Sequence, residues 1–472
     1  MTNQSLKPTV LFINPPGPKK LYRSMVCTFV SKANYIWQPQ DFLTLSAHIR
    51  PGYGVELLDC CAQDLGPGSL FKKIREADPA LLVIAVSSVV FDSDLDFLKR
   101  IRLEFPGLRG LVLGDVLLDG YFWKPVCDSG FDLVLNPMDV DLAGYIETGL
   151  TSSSNIILQH TDPLPADRRD KSDKPKKVSI GIPRHDVFVS RKYRFPFMKS
   201  FLYTTVSTQF GCPYGCSYCS WSKIPVVYRG YQEVIEELES IKRLGLRDIF
   251  FGDPSFGFPR ENAARLLDAM IGNKFNFRWA CYANPGLCDK ETLKMMARSG
   301  CHTAIIGVED EDFGMLNSRF QRRCSREAFF EFVKECKGLG IRVCGDFIIG
   351  LNDSPQAAER LADLAIRLKL DFASFNIYTP LLGSVIRDRM VAEGRISRGE
   401  TGRDTSGTFI RGNSGLLKER DQLIRRFYLR PGYLLRRVLN TTTLPELSIQ
   451  FREMLGLMRN SLSRKNRDVS IF

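Results

Sequence analysis

No apolar run in this chain approaches the roughly 20 residues needed to cross a bilayer. A membrane-spanning helix is excluded, and a soluble or at most peripheral protein is expected. The opening, MTNQSLKPTVLFINPPG, has no apolar signal segment ahead of its first strand-like run, so a reducing cytoplasmic compartment is expected. The 13 cysteines then read as thiols rather than as a disulfide framework. No internal repeat emerges beyond an alternation of short apolar and amphipathic runs.

What is present is size and uneven charge. At 472 residues with 44% hydrophobic content the chain can fill two or three cores, which implies a multidomain globular protein. Of the net charge of +12, the stretch 384–472 supplies +9, from 18 Lys and Arg against 9 Asp and Glu. A basic tail attracts nucleic acid, anionic lipid or an acidic substrate, or is simply a solvated helical face. No nucleic-acid recognition motif accompanies it, and no nucleic acid is expected as partner.

The expected fold class is α/β. Over 1–150, TVLFINPP, GVELLDC, ALLVIAVSS, RGLVLGD and DLVLN read as buried strands with helical runs such as DLDFLKRIRLEF between them. That pattern is an open doubly wound parallel sheet, with ligands at the carboxyl ends of its strands. Residues 151–198 read as a linker, polar, charged and Pro-containing in its first part, with a short helical or strand insertion around Asn155 to Leu158. From 199 to 385 six further strand candidates alternate with helices: LYTTVSTQ, DIFFGD, FRWACYA, TAIIGVE, VCGDFIIGL and FASFNIYTP. They predict a partial (β/α)6 barrel with chemistry at the carboxyl ends of its strands. Ser354 before Pro355 reads as a helix start, and Gly338 with Gly340 as the close of the preceding helix. Residues 386–472 form a basic, mainly helical region, broken at Pro431, in which Arg425, Arg426, Arg430, Arg436 and Arg437 flank Phe427, Tyr428, Tyr433 and Leu434. It fits a bundle packed on the barrel, a lid over an apolar substrate, or a peripheral membrane contact.

Directly after the first barrel strand, FGCPYGCSYCSWSK sets Cys212, Cys216 and Cys219 at the spacing CxxxCxxC. Structural zinc calls for four ligands, and no partner pair lies nearby. A redox CxxC would leave Cys212 unexplained. Three thiolates on a 4Fe-4S cubane leave one iron open for a substrate or cofactor. Cys281, Cys301, Cys336 and Cys344 lie in apolar contexts and read as core.

This spacing, with Tyr218 just before the last cysteine, resembles the signature of the radical S-adenosylmethionine (SAM) superfamily. The resemblance implies that the open iron chelates the methionine end of SAM and that cleavage yields a 5′-deoxyadenosyl radical. It places Tyr218 near the adenine. FFGDPSF resembles the Gly-Gly-Glu element of that family, so Gly252 would let the backbone approach the SAM amine and Asp253 would accept its hydrogen bond. IIGVED resembles a Gly-Val-Glu-Ser run, which brings Glu309 to the ribose, with Asn284 a further ribose candidate. DFIIGLNDSP resembles the fifth-strand glycine element, with Gly350 at a turn beside the adenine.

VLFINPPGP opening a doubly wound domain ahead of such a barrel, with RRFYLRPGYLL near the end, resembles the cobalamin-binding class of the superfamily, which includes the anaerobic magnesium-protoporphyrin ester cyclase and many methyltransferases. None of His48, His160, His185 and His302 lies in a DxHxxG context, VLGDVLLDG stands where a Gly-Gly-Pro-His-like run is usual, and VLNPMDVDL replaces a Gly-Glu-Gly-Glu-like run. Cobalamin is thus implied by architecture. The implied activity is methylation of an unactivated carbon: the radical abstracts hydrogen, methylcobalamin between the domains gives up its methyl group, and a second SAM restores it. Implied partners are a small-molecule or lipid-like substrate, such as a lipid, tetrapyrrole or natural-product intermediate, and an electron donor such as a flavodoxin or ferredoxin. A ring-forming enzyme of the same class is the alternative. An RNA methylthiotransferase and a non-catalytic cobalamin or cluster sensor rank lower, the former because Cys27, Cys60, Cys61 and Cys127 lack the arrangement it needs.

Overall fold

The computed structural model describes residues 8–465 apart from 18–19, 32–34, 152, 162, 165–173, 353, 355, 406–413 and 442. Unbroken aliphatic runs become strands covered on both faces, as LLVIAV shows by being buried at all six positions. The first sheet comprises β1 (Thr9–Asn14), β2 (Gly54–Asp59), β3 (Leu81–Val86), β4 (Gly110–Gly114), β5 (Asp132–Val134) and β6 (Ile156–Ile157). Its order is β2-β1-β3-β4-β5-β6. The first five strands are parallel, which gives the expected doubly wound arrangement with its switch point between β1 and β3. The insertion at Ile156–Ile157 adds an antiparallel edge to β5.

The second sheet comprises β7 (Thr204–Val206), β8 (Asp248–Phe256), β9 (Arg278–Ala283), β10 (Cys301–Glu309), β11 (Arg342–Ile349) and β12 (Phe372–Ile377), parallel and in sequential order. Helices cross between its strands, among them α2 (Tyr231–Arg243), α3 (Arg326–Gly338) and α4 (Ala357–Arg367). Gly338 ends α3 and Gly340 (φ +74°) turns the chain, as expected. The start of α4 differs from expectation. It begins at Ala357 with Gln356 as the capping residue in the left-handed region, not at Ser354, and Pro355 lies outside the described residues.

Among the described strands β7 and β12 do not pair with each other, so the barrel has a lateral gap. The basic tail spans it with α5 (Ser414–Tyr428), α6 (Pro431–Leu439) and α7 (Leu444–Lys465). Pro431 sits in the first turn of α6, where its missing N–H costs nothing. Phe427 is fully buried, Tyr428 Oη donates to Ala373 O at 2.9 Å, and Tyr433 Oη donates to Asp371 O at 2.9 Å, which ties the tail to β12. On the other flank Thr443 Oγ1 donates to Lys199 O at 3.0 Å, just ahead of β7.

The connector 151–198 is not a solvated tether over its second half. Lys176–Val178 pairs with Val227–Arg229, and Tyr193, Phe195 and Met198 are buried where the two sheets' domains meet. His185 of the short helix His185–Phe188 is held by Thr204 Oγ1 (2.6 Å) and Glu237 Oε1 (2.9 Å), and Arg229 also pairs with Glu237. Burial pushes the Glu237 carboxyl up, but Arg229 and His185 outweigh it and leave it below the usual range.

Gln38 joins all three parts. Its Nε2 donates to Phe188 O (3.1 Å), its Oε1 accepts from Thr205 N–H (2.7 Å), and its N–H donates to Tyr203 Oη (3.1 Å). Gln38→Leu removes the side-chain bonds and orphans the buried Thr205 N–H, at a cost of about 1–3 kcal/mol. Urea unfolding of the variant is expected to show a lower midpoint.

Candidate functional site

A cavity of about 1000 Å³ lies inside the barrel and reaches the first domain. Its walls come from the N-terminal domain (Ser24, Cys27, Trp37, Gln40, Asp41, Met138), from the carboxyl ends of the barrel strands and from the tail. All three cysteines of the loop face it.

The loop is built by local constraints. Gly211 takes φ +93°, and a Cβ there would collide with Pro225 O, so the reversal before Cys212 needs glycine. Cys219 N–H donates to Cys216 O (3.0 Å) and Ser222 N–H to Cys219 O (3.0 Å), folding the last two cysteines into consecutive turns. Ser217 N–H donates to Phe320 O (3.0 Å), which pins the loop to the segment following β10.

The thiols suit a metal cluster chemically. Burial, then Cys216 and Cys212 beside it, push the Cys219 thiol far above its usual value. Losing that proton therefore needs a strong cationic partner, which a soft metal centre supplies to soft sulfur donors. Ser217 Oγ and Ser220 Oγ, next to the cysteines, are buried without a hydrogen-bond partner. Among the described residues no three His, Cys, Asp or Glu side chains converge on one ion, whereas a cubane takes each thiolate on a separate iron.

Tyr218 lines the cavity and packs edge-on against Phe320, ring centroids 5.9 Å apart. Gly252 lines it too. Gln40, the first residue of α1 (Gln40–Ser46) in the N-terminal domain, donates from Nε2 to Gly252 O (2.9 Å) and to Ser207 Oγ (3.0 Å). A Cβ at Gly252 would meet the Gln40 amide, so glycine is what lets the two domains close here.

Glu309 lines the cavity at the end of β10 in a left-handed backbone conformation (φ 57°), where the register with β11 shifts. Arg322 holds it, Nε to Oε2 at 3.1 Å, and donates from Nη2 to Gly307 O at 2.9 Å. A strained backbone at a strand end, stabilised by a buried ion pair, marks a position where geometry is being imposed on a carboxylate. Asn284 also lines the cavity, with Oδ1 accepting from Gly286 N–H at 2.8 Å.

Two of the expected residues, Asp253 and Gly350, do not line the cavity. Asp253 is fully buried and does not line the cavity. Its Oδ1 accepts from Thr208 N–H (2.7 Å) and Gln209 N–H (3.1 Å), and its Oδ2 from Thr208 Oγ1 (2.6 Å), so it anchors the base of the cysteine loop. Strand alternation explains this, since Gly252 faces inward and Asp253 outward. Gly350 does take the expected turn (φ +82°), but it sits against Leu416 and Tyr378 behind the cavity wall. Of the four cysteines read as core, all are buried, and Cys344 also reaches the cavity wall.

Three site residues escaped sequence reasoning: Arg322, Gln40 and Asp41. Asp41 lines the cavity, accepts from Met25 N–H at 2.7 Å and is pushed up to about 6 by burial. None sits in a motif. None of the four histidines lines the cavity.

Comparisons with known proteins agree with this geometry. The radical SAM superfamily profile matches residues 206–365. An uncharacterized methyltransferase of Pyrococcus horikoshii, PH0819, is 23% identical over 81% of this chain and 83% of its own length. The hopanoid C-2 methylase of Rhodopseudomonas palustris is 25% identical over 43% of this chain, a match that spans 41% of that enzyme. Among solved structures, the radical SAM methyltransferase TsrM from Kitasatospora setae, with cobalamin and a [4Fe-4S] cluster bound, superposes with a TM-score of 0.66 at 16% identity, covering 97% of this chain and all of that one.

Removing the Asp253 anchor tests the site's scaffold. Asp253→Ala leaves two buried N–H groups at the loop base without acceptors and is expected to cost at least about 1–3 kcal/mol. Burial raises the Asp253 carboxyl to about 6 from the model-peptide value of 3.8. The native state therefore binds the proton more tightly than the unfolded state, and this group's contribution to stability falls as pH rises through that window. In Asp253→Asn that fall is absent, so denaturant midpoints of wild type and Asn variant are expected to shift in favour of the variant between pH 4 and pH 6.

Proposed function

Residues 206–365 match the radical SAM superfamily, and on that premise we propose that the chain is a cobalamin-dependent methyltransferase acting on an unactivated carbon of a large, partly apolar substrate. The observation that carries this reading is the shared cavity: the cysteine loop of the barrel and the segments that follow β1 and β5 of the first sheet line one space. Cys212, Cys216 and Cys219, which all line the cavity, would hold a 4Fe-4S cluster. When bound, the cluster supplies the electron that cleaves SAM, and cobalamin supplies the methyl group.

The chain's own residues bind and orient. Tyr218 covers the adenine with its ring, held by Phe320. Glu309 accepts hydrogen bonds from the ribose hydroxyls, its carboxylate aimed by Arg322, and Asn284 stands beside it. Gly252 brings backbone close to the SAM amine, while Asp253 and Gly350 act from behind the wall by fixing the turns. On the facing side, Ser24, Gln40, Asp41 and Met138 would hold cobalamin. Burial raises the Asp41 carboxyl at that face to about 6. A flavodoxin or ferredoxin serves as reductant.

The cavity wall and the tail support a reading of substrate class and location. Tyr22, Phe29, Trp37, Phe197, Tyr282 and Ile305 give the cavity an aromatic and aliphatic wall. No helix among the described residues is long and apolar enough to cross a membrane. Yet Leu429, Leu434, Leu435, Val438, Leu439, Leu444, Leu447 and Phe451 are all exposed large hydrophobics on the tail, beside Arg425, Arg426 and Arg436. Leu429, Leu434, Val438, Leu447 and Phe451 also line the cavity, so its opening lies within that apolar, basic surface. A peripheral contact with an anionic bilayer would place a lipid-like substrate at this opening.

Anaerobic protein reconstituted with iron, sulfide, cobalamin, SAM and reductant is expected to release deoxyadenosine, together with S-adenosylhomocysteine once substrate is present. Deoxyadenosine without S-adenosylhomocysteine in the presence of a consumed substrate would contradict methyl transfer. Ala at Cys212, Cys216 and Cys219 together is expected to abolish both products. In flotation assays the protein should bind vesicles containing phosphatidylglycerol and not vesicles of phosphatidylcholine alone, and Leu435→Glu with Leu439→Glu should abolish that binding.

A further inference from the structure

The end of the cavity opposite the cysteine loop holds an unexplained charge. Arg437 of α6 lines the cavity and is 7% exposed, yet both terminal guanidinium nitrogens, Nη1 and Nη2, lack a hydrogen-bond partner. Its Cζ lies 4.4 Å above the centre of the Phe372 ring, at the first residue of β12. The cysteines and Glu309 belong to the opposite, carboxyl ends of the strands. A six-residue strand such as β12 spans roughly 20 Å, which sets the scale of that separation.

The acidic groups near Arg437 are already engaged. Glu446 pairs with Arg342 and accepts from Gln450 Nε2 at 3.0 Å, and Asp371 Oδ2 accepts from Val343 N–H at 3.0 Å. Arg342 and Arg437 both stand over Phe372, so this end of the barrel is electropositive. Burial lowers the Arg437 guanidinium from its ordinary value, the sign of a charge short of compensation. Stacking on an aromatic face offsets part of that deficit but leaves the in-plane N–H groups without acceptors. A planar fork of donors without acceptors, on a side chain that lines an apolar cavity, is the arrangement that recognises a carboxylate or phosphate.

We propose that Arg437 is the anchor for an anionic head group, carboxylate or phosphate, of an elongated apolar substrate whose chain runs along the barrel axis toward the cysteine loop. The head group sits at the tail-covered end among Arg437, Tyr433 and Gln450, and the apolar chain passes Phe372, Ile305 and Tyr282. Arg437 thereby selects the substrate and sets which carbon reaches the loop. This deepens the methyltransferase reading and rests on it for where the chemistry occurs.

Calorimetric titration of the full chain with dodecanoate, dodecyl phosphate and dodecanol, each below its micellar concentration, tests the assignment without SAM. Wild type is expected to bind at least one of the two anions about tenfold more tightly than dodecanol, as a charge-assisted bidentate pair would give. The tighter anion identifies the head group. Arg437→Gln is expected to erase the discrimination, Arg437→Lys to keep part of it, and Arg437→Met, which preserves packing on Phe372, to behave as Arg437→Gln. Equal affinity for all three probes in wild type, binding of none of them, or unchanged discrimination in a folded Arg437→Gln protein would overturn the proposal. Failure of the methyltransferase reading instead appears as absent deoxyadenosine with the anion preference intact.

Discussion

The buried carboxylate of Asp253 is the joint on which the site depends. Three donors from Thr208 and Gln209 converge on it at 2.6 to 3.1 Å, and those residues lead directly into the cysteine loop. One residue earlier on the same strand, the Gly252 carbonyl accepts from Gln40 of the first domain. The alternation of a single strand end thus sends one residue outward to hold the loop and its neighbour inward to receive the other domain. Displacing this strand end would move the thiols and the domain junction together.

From that joint the cavity extends in two directions. Upward it meets the segments that follow β1 and β5 of the first sheet. Downward it follows the barrel axis to the tail, which fills the gap between β12 and β7. Phe427, Tyr428 and Tyr433 face the barrel, while Leu435 and Leu439 of α6 face outward. The basic tail is therefore both a wall of the cavity and an outer surface. This division explains how a segment so rich in arginine also carries most of the chain's exposed leucines.

Much of this was legible in the sequence because it is local. Aliphatic runs such as LLVIAV and the strict β/α alternation reported both sheets, and CxxxCxxC reported the loop. Tyr218, Gly252, Asn284 and Glu309 were found by short motifs at strand ends, and the structure brings all four to the cavity. Asp253 and Gly350 come from the same kind of motif yet do not line the cavity, because a motif locates a strand end without saying which residues there face inward. Gln40 contacts Gly252 across 212 residues of sequence, and Arg322 reaches Glu309 from beyond an intervening helix. Pairings of that kind leave no periodic trace. The packed connector was misread for a related reason, since Tyr193, Phe195 and Met198 are spaced to fill a junction between domains rather than to follow a helix or strand.

The central claim is that three thiolates hold a cluster whose remaining iron is open to SAM. It is tested most directly by electron paramagnetic resonance of the reduced, reconstituted protein recorded before and after addition of SAM. The account predicts an iron-sulfur signal that changes its g-values when SAM is added, and no such signal when Cys212, Cys216 and Cys219 are replaced by Ala. A cluster signal indifferent to SAM, or one that survives the triple replacement, would contradict it.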